Sequence, residues 1–568
     1  MRDLIRNGQV QLCRVKMQQT LLIQFIRLVQ PLNFKIMKSI LIKIQLIFAL
    51  VIMVGCTDFL EEENLGNTTA ENYYVTSTGY EGLVNAVYAS IRNVYQPTPY
   101  VFCAGTDLFF SAHQEVPLGL AAYQTLTPSN PEVEHLFKTL YQSIQTANMA
   151  LYYADITEDF AELELRISEI KVIRAYFYFI LVQHFGDVSL VTDLVSEPIT
   201  HFDRNPASDV YQFIIDELEE AIENLPETQS DFGRVSSRAA KHILAKVYLT
   251  RGYESFGSAA DFSKAAQLAD AAISGEGLDL TFEELFAYEN DNNSEILWSI
   301  QYSPGSTLQG GAHNWDYPWG PLAQGSNDGV SKKNALHPTE YLYTLFDDDD
   351  TRFEGTFLNI RTSPYSGYIL DPDNSPVNYY YPRTTEQLAD TANWRLASPM
   401  RSETIISPIG PHWWDGLNQT DLPALKKYDR LQTPEIRYTH DLYLARLGET
   451  YLIAAEAYLK SNNPGNAVAR VNTVRERAGA STVPSVDLDF ILEERARELV
   501  GEGFRWMDLK RTGKLMEYTK ERNPDIKILV NSGIDPFLGK NGNYKILRPI
   551  PLSAIALDSG DYPQNPAY

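Results

Sequence analysis

The chain has 568 residues, with 48 Lys and Arg against 73 Asp and Glu, a net charge of −25 at pH 7. So acidic a chain repels polyanions, which argues against a nucleic-acid-binding role. Three cysteines cannot form a disulfide framework, so stability must come from burial, and the length allows one large core or several subdomains.

Met37-Lys38 and Lys43 make a basic start, followed by an apolar run from Ile44 to Val54. That run has the length of a secretory h-region and is too short to span a bilayer. It ends in Met53-Val54-Gly55-Cys56, the arrangement a lipoprotein signal peptidase requires, with Met53 where Leu is more usual. On this reading residues 37–55 are a lipoprotein signal peptide and Cys56 is acylated; two or three acyl chains hold a protein on a membrane almost permanently. The plain alternatives are an ordinary signal peptide or a buried helix that ends at Cys56 by chance. Met37 opens a complete signal, so residues 1–36 read as an extension upstream of the true start. Without residues 1–55, the remaining 513 carry 40 basic and 72 acidic residues, a net charge of −32. Residues 56–80 then form anchor and tether, opening with the acidic Thr57-Asp58-Phe59-Leu60-Glu61-Glu62-Glu63. In some Gram-negative lipoproteins acids at this place direct export to the outer surface.

Residues 81–299 are patterned as helices. Leu163 to Phe185 has apolar residues at helical spacing, including Leu165, Ile170, Ile173, Phe177, Ile180 and Leu181. Ser208-Asp209 are good capping residues for a helix that stops before Pro226. Ser236 to Arg251 is Ala-rich and amphipathic, and Asp261 to Ile273 follows it, closed by Gly275. Trp298 lies in an alternating, strand-like run, Ile296 to Ile300.

Residues 300–435 lose helical periodicity and are rich in Gly, Pro, Asn, Asp and aromatics. A stretch this long without helices is expected to be functional or to have irregular structure of its own. It holds five of the seven tryptophans: Trp315, Trp319, Trp394, Trp413 and Trp414. Loops on a rigid scaffold concentrate binding residues, and a flat ring can stack on the C–H face of a sugar while polar neighbours bond its hydroxyls. His313-Asn314-Trp315-Asp316-Tyr317-Pro318-Trp319 is the first choice for a ligand loop and Pro411-His412-Trp413-Trp414-Asp415 the second. The competing reading is that these rings pack the region's own core. If Trp315 and Trp319 meet ligand, Ala substitution should abolish glycan binding and leave the unfolding midpoint unchanged. Asp347 to Asp350 beside Arg352 lacks the alternating spacing of a calcium loop and reads as a solvated acidic turn.

Residues 436–568 return to helices. Asp441 to Leu459 and Pro464 to Ala478 are joined by a short Ser461-Asn462-Asn463 turn, and Asp487 to Gly501 follows. Ala454, Ala455 and Ala457 allow close packing. Such pairs read as tetratricopeptide-like hairpins, although no strict period of about 34 residues is present. Arg505, Trp506 and Asp508 read as an ion-paired, packed joint, and Arg495 and Arg497 as helix-face partners of Glu493, Glu494 and Glu498. No HExxH, paired CxxC, G-x-S-x-G or P-loop pattern occurs, so no catalytic residue, metal or cofactor is expected.

An ordered set of motifs spans the chain: Cys56-Thr-Asp-Phe-Leu60, Ile173-Arg-Ala-Tyr-Phe-Tyr178, His184-Phe-Gly-Asp-Val188, Gly233-Arg-Val-Ser-Ser-Arg-Ala-Ala240 and Leu244-Ala-Lys-Val-Tyr-Leu249. Arg446 to Glu456, Val471 to Gly479, Glu493 to Leu499, Glu502 to Arg511, Arg548-Pro-Ile-Pro551 and Gln564-Asn-Pro-Ala-Tyr568 complete it. Together they resemble the SusD/RagB family of outer-membrane nutrient-binding lipoproteins, with Ser189 where the family usually has Pro and Ala567 where it often has Gly. The resemblance implies a mainly α fold, a tetratricopeptide-like scaffold with a variable, loop-rich ligand-binding subdomain. It implies a SusC-like TonB-dependent barrel as partner and an oligosaccharide, or less often a peptide, as ligand, bound without catalysis at the cell surface. A secreted glycoside hydrolase is the rival enzyme reading; it needs two carboxylates across a cleft.

Overall fold

The computed structural model describes residues 69–568 except 97, 112–115, 288–289, 304–312, 314, 317, 320–334, 363–375, 410–422 and 429–438. The expected signal peptide, Cys56 and the acidic tether lie outside the described residues. Tyr73–Tyr568 forms one compact unit, and everything below concerns it.

Eight helices form a ladder in which each packs against the next: α1 (Ser77–Val94), α2 (Pro131–Ala154), α3 (Leu163–Phe185), α4 (Ala207–Asn224), α5 (Ser237–Arg251), α6 (Ala259–Ile273), α7 (Leu447–Lys460) and α8 (Pro464–Arg477). Their starts follow from local chemistry. The side chains of Thr76, Asn130 and Ser236 cap α1, α2 and α5 by accepting from backbone N–H groups of the first turn. Ser258 and Asp261 form a capping box on α6. The fourth start differs from expectation: α4 begins at Ala207, whose N–H donates to Asp187 Oδ1 at 2.8 Å, so the cap comes from the preceding segment and not from Ser208.

Helix α3 is the centre of the ladder; every residue from Val172 to Phe185 is buried. Alanines at the crossings, among them Ala239, Ala240, Ala265, Ala269, Ala454 and Ala457, are buried and let neighbouring backbones approach closely. After α6 the chain leaves the ladder, and it returns only at α7. The segment expected to be one helix from Asp441 divides in two. Leu442–Arg446 is a strand, paired antiparallel with Ile296–Ile300, and α7 starts at Leu447. An available partner strand overrides the helical reading there.

Between these strands the secondary structure is short. The described helices, such as Glu340–Thr344, Arg352–Thr356 and Thr391–Leu396, are one or two turns long. Phe109–Ser111 pairs with Leu336–Pro338, and Phe357–Leu358 pairs with Ala424–Leu425. Ile360–Thr362, Val377–Tyr380 and Ile405–Ile406 make a small three-stranded sheet, antiparallel and then parallel. Beyond α8 come α9 (Leu488–Glu498, capped by Asp487) and α10 (Arg505–Arg511).

Candidate functional site

Two of the expected ligand-binding tryptophans are core residues. Trp315 is 3% exposed and Trp319 is 1% exposed. The Trp315 indole N–H donates to the Gly501 carbonyl at 3.1 Å, and its ring lies 5.8 Å from Tyr95 and 6.2 Å from Phe102. Gly503, at φ +86°, passes so close that an added Cβ would lie 3.4 Å from the Trp315 ring. Trp319 rests on Phe109, 4.6 Å between centroids, and stacks at longer range with Tyr428. These rings peg the irregular region to the helical body, as the competing core reading has it, and Trp315 also lines a small cavity with Tyr95, Phe286, Lys427 and Tyr428. Asn314, Tyr317, Trp413 and Trp414 lie outside the described residues.

Trp394 differs. It is half-buried, on the short helix Thr391–Leu396, in which no residue is buried. One face stacks on Tyr380, 4.2 Å away and 9° from parallel. The Arg401 guanidinium lies 4.7 Å over the Trp394 ring, and with Tyr380 covering one face it takes the other. Arg401 is held there by its own donation to the Trp394 carbonyl at 3.3 Å. The result is a three-layer stack of phenol, indole and guanidinium. An arginine stacked on a ring keeps its in-plane N–H groups free for hydroxyls at its edge. Leu388, Leu396 and Ile405, all exposed, are the apolar residues of the same small unit. Sequence reasoning chose Trp394 and missed Tyr380 and Arg401; the run Tyr379-Tyr380-Tyr381 was the available signal.

The charged motifs of the C-terminal block form an interior network. Glu498 accepts from Arg446 (2.7 Å), Arg352 (3.1 Å) and Arg477. Burial would raise its carboxyl, yet these three guanidiniums hold it well below the usual carboxylate range. Arg505 grips Asp107 through two bonds of 2.8 and 2.7 Å, and the Trp506 indole N–H donates to the Tyr123 hydroxyl. This is the expected packed joint, now with its partners in the N-terminal block. One expectation changes: Arg497 pairs along its own helix with Glu494 at 2.8 Å, but Arg495 reaches across to Glu449 and Asp508.

The acidic turn is solvated for the most part, as expected: Asp347, Asp348 and Asp349 are exposed and only Asp350 is internal. Asp350 is buried with both oxygens on Arg352, Asp349 accepts from the Ser481 N–H and hydroxyl, and Asp347 accepts from Arg475. Asp348 is 83% exposed at its side chain, and Asp347 is 57% exposed despite its ion pair. Among the described residues no group of three or more His, Cys, Asp or Glu is placed to hold a metal ion.

Asp441 stands apart. Burial pushes its carboxyl up to about 7. It accepts from the Ser299 hydroxyl at 2.9 Å and the Tyr302 N–H at 3.0 Å, so it clamps together the points where the chain leaves and re-enters the body.

Comparison with known proteins agrees with this architecture. A model described as the SusD family matches residues 294–568, and one described as starch-binding associating with outer membrane matches residues 58–249. A SusD-like protein of Bacteroides ovatus is 33% identical over 355 residues; the alignment covers 60% of this chain and only 58% of that relative. SusD-like protein P2 of Formosa agariphila is 26% identical, with 93% of this chain and 99% of the relative aligned. Among solved structures, a SusD homolog from Bacteroides thetaiotaomicron superposes with a TM-score of 0.71 at 20% identity, over 89% of this chain and all of the other. A laminarin binding SusD-like protein gives 0.64 at 25% identity, covering 87% and 100%. A structure with xylogluco-oligosaccharide gives 0.60 at 25% identity, covering 78% and 85%.

Proposed function

Because the chain belongs to the SusD/RagB family, we propose that it is a lipid-anchored, outer-membrane protein that captures oligosaccharide and delivers it to a SusC-like TonB-dependent transporter. Cys56 carries the lipid in this reading, and the protein binds without catalysing. Support for a sugar ligand comes from relatives named for laminarin and solved with a xylogluco-oligosaccharide.

The observation that carries the site is the Tyr380–Trp394–Arg401 stack. Tyr380 and Arg401 cover the two indole faces, so what the stack offers a sugar is a rigid, half-exposed aromatic unit whose guanidinium supplies donors to hydroxyls. A peptide remains the second reading, favoured by Leu396, 84% exposed, beside the same stack. Calorimetric titration with xyloglucan and laminarin oligosaccharides, and with mixed peptides, separates the two. Trp394→Ala and Arg401→Ala are each expected to weaken glycan binding about tenfold or more with little change in the unfolding midpoint. Unchanged binding in both variants would remove the stack from the site. Chromatography of the incubated sugars tests the other half: products of cleavage would overturn a pure binding role.

A further inference from the structure

The helical scaffold has a large hollow of its own, built by α1. Asn85, Tyr88, Ala89 and Arg92 follow helical spacing and form one stripe, while Leu83, Val84, Val87, Ile91 and Val94 bury much of the rest. The turn Asp231-Phe232-Gly233-Arg234 faces this stripe, and the strand end Ser299 to Gln301 closes the hollow, which measures about 390 Å³. On the other side of the same turn lies a second hollow of about 220 Å³, reaching Arg238, Glu276, Asn293 and Trp298. Residues 231–234 and Ser299 line both. Phe232, half-buried, is thus a ridge between two basins. The larger basin is within the size range of small-molecule sites.

The walls are set in place before any ligand arrives. Gly233 has φ +90°, a left-handed conformation that favours glycine, and the turn lies against the Gln301 side chain, 2.4 Å from where a Cβ would stand. Arg92 is fixed by two donations to the Gln301 carbonyl, at 3.0 and 2.6 Å. Arg234 is fixed by Glu169 at 2.8 Å and Glu81 at 3.2 Å. Tyr88 donates to Glu169 and accepts from the Val235 N–H. Two groups are left over. The Gln301 carboxamide makes no hydrogen bond among the described residues. The Trp298 indole N–H is buried with no acceptor among them, although Trp298 lines the smaller basin. A buried orphan donor needs a partner.

The chemistry selects a ligand class. In the smaller basin Arg238 pairs with Glu227 and Glu276, and in the larger one Arg92 is engaged by the Gln301 carbonyl and Arg234 by Glu169 and Glu81, so each guanidinium is already held in place. Ile91, Phe232, Ile296 and Leu297 add apolar surface between these polar groups. Carboxamides, guanidiniums and hydroxyls around one aromatic ridge suit a neutral polyhydroxylated chain.

We infer that this double basin is a second oligosaccharide site, in which a sugar chain lies across Phe232 with its ends in the two hollows. The inference rests on the sugar-binding reading above. Its consequence is bivalency: a polysaccharide released at one site stays at high effective concentration for the other.

Calorimetric titration with laminarihexaose and a xyloglucan oligosaccharide tests it on the whole chain, using Phe232→Ala, Gln301→Ala, Trp394→Ala and the Phe232→Ala/Trp394→Ala pair. Gln301 is exposed, so its variant stays informative if Phe232→Ala disturbs folding. Two sites in the wild type, one lost on Phe232→Ala or weakened at least tenfold on Gln301→Ala, with the Trp394-dependent site retained, is the expected result. Full binding by both scaffold variants overturns the second site and leaves the first intact. No binding by the wild type to either sugar overturns both readings together. Binding lost in the scaffold variants but unaffected by Trp394→Ala supports the basin and removes the stack from the site.

Discussion

The ladder and the irregular region are held together by different means. Each ladder helix is 14 to 24 residues long and packs against the next helix along the chain. The irregular region has helices of five or six residues, and the pair at 385–396 buries none of its side chains. Its order comes from attachments: Trp315 and Trp319 driven into the body, Arg352 paired with Glu494 and Glu498, and Asp441 closing the neck. A scaffold of repeating contacts can be stable by itself, whereas a region of loops borrows stability through a few pegs.

The largest expected effect tests whether α9 joins the two regions as described. Glu498→Ala leaves Arg352, Arg446 and Arg477 without their shared carboxylate and should cost about 4 kcal/mol or more in urea unfolding. Next come the pegs. Trp315→Ala should cost about 3 kcal/mol and loosen the irregular region, read as faster hydrogen exchange in residues 335–425. A loss within about 0.5 kcal/mol would mean that the region has a core of its own, and the contrast would fail.

The neck gives a pH signature. Folded Asp441 keeps its proton up to about pH 7, whereas the unfolded chain releases it near the ordinary value of 3.8. Between these values the folded state binds the extra proton, so this contribution is complete below about pH 4 and is lost as pH rises through 7. Measured against Asp441→Asn, wild-type stability should therefore gain about 2 kcal/mol as pH falls from 7 to 4; parallel curves would show that the carboxyl is not buried as described. The smallest effect is at Asp348, which is exposed and 4.0 Å from Arg383. Asp348→Asn should change the unfolding free energy by no more than about 0.5 kcal/mol.

Legibility in the sequence follows the same division. α3 is read to the residue because its long apolar run ends at Gly186, and α8 to within one because Asn463 caps it and Pro464 opens it. The strand Leu442–Arg446 is misread as helix because its partner, Ile296–Ile300, is distant in sequence. Arg505 and Trp506 are legible as a packed joint, but not that Asp107 and Tyr123 receive them. In the loops, composition reveals many aromatics and cannot say which are pegs. Trp315 and Trp394 have similar neighbours in sequence and opposite fates, because burial there is decided by what the tertiary structure brings opposite each ring.

The contact between α6 and α7 has a consequence for how the molecule is made and how it diversifies. Ile273 of α6 shares a core with Leu447, Tyr451, Leu452 and Ala455 of α7 and with Val471 and Ile491 beyond it. Residues 274–446 must therefore be synthesised before α6 meets its partner. During that interval an apolar helix face waits uncovered, a segment where a nascent chain is open to misassembly. Once the contact forms, the enclosed segment is a closed loop, and the entropy of closing a loop grows only with the logarithm of its length. Doubling it would cost about 0.6 kcal/mol. Insertions and deletions between α6 and α7 are thus nearly neutral for the ladder, which leaves that stretch free to change with each new ligand.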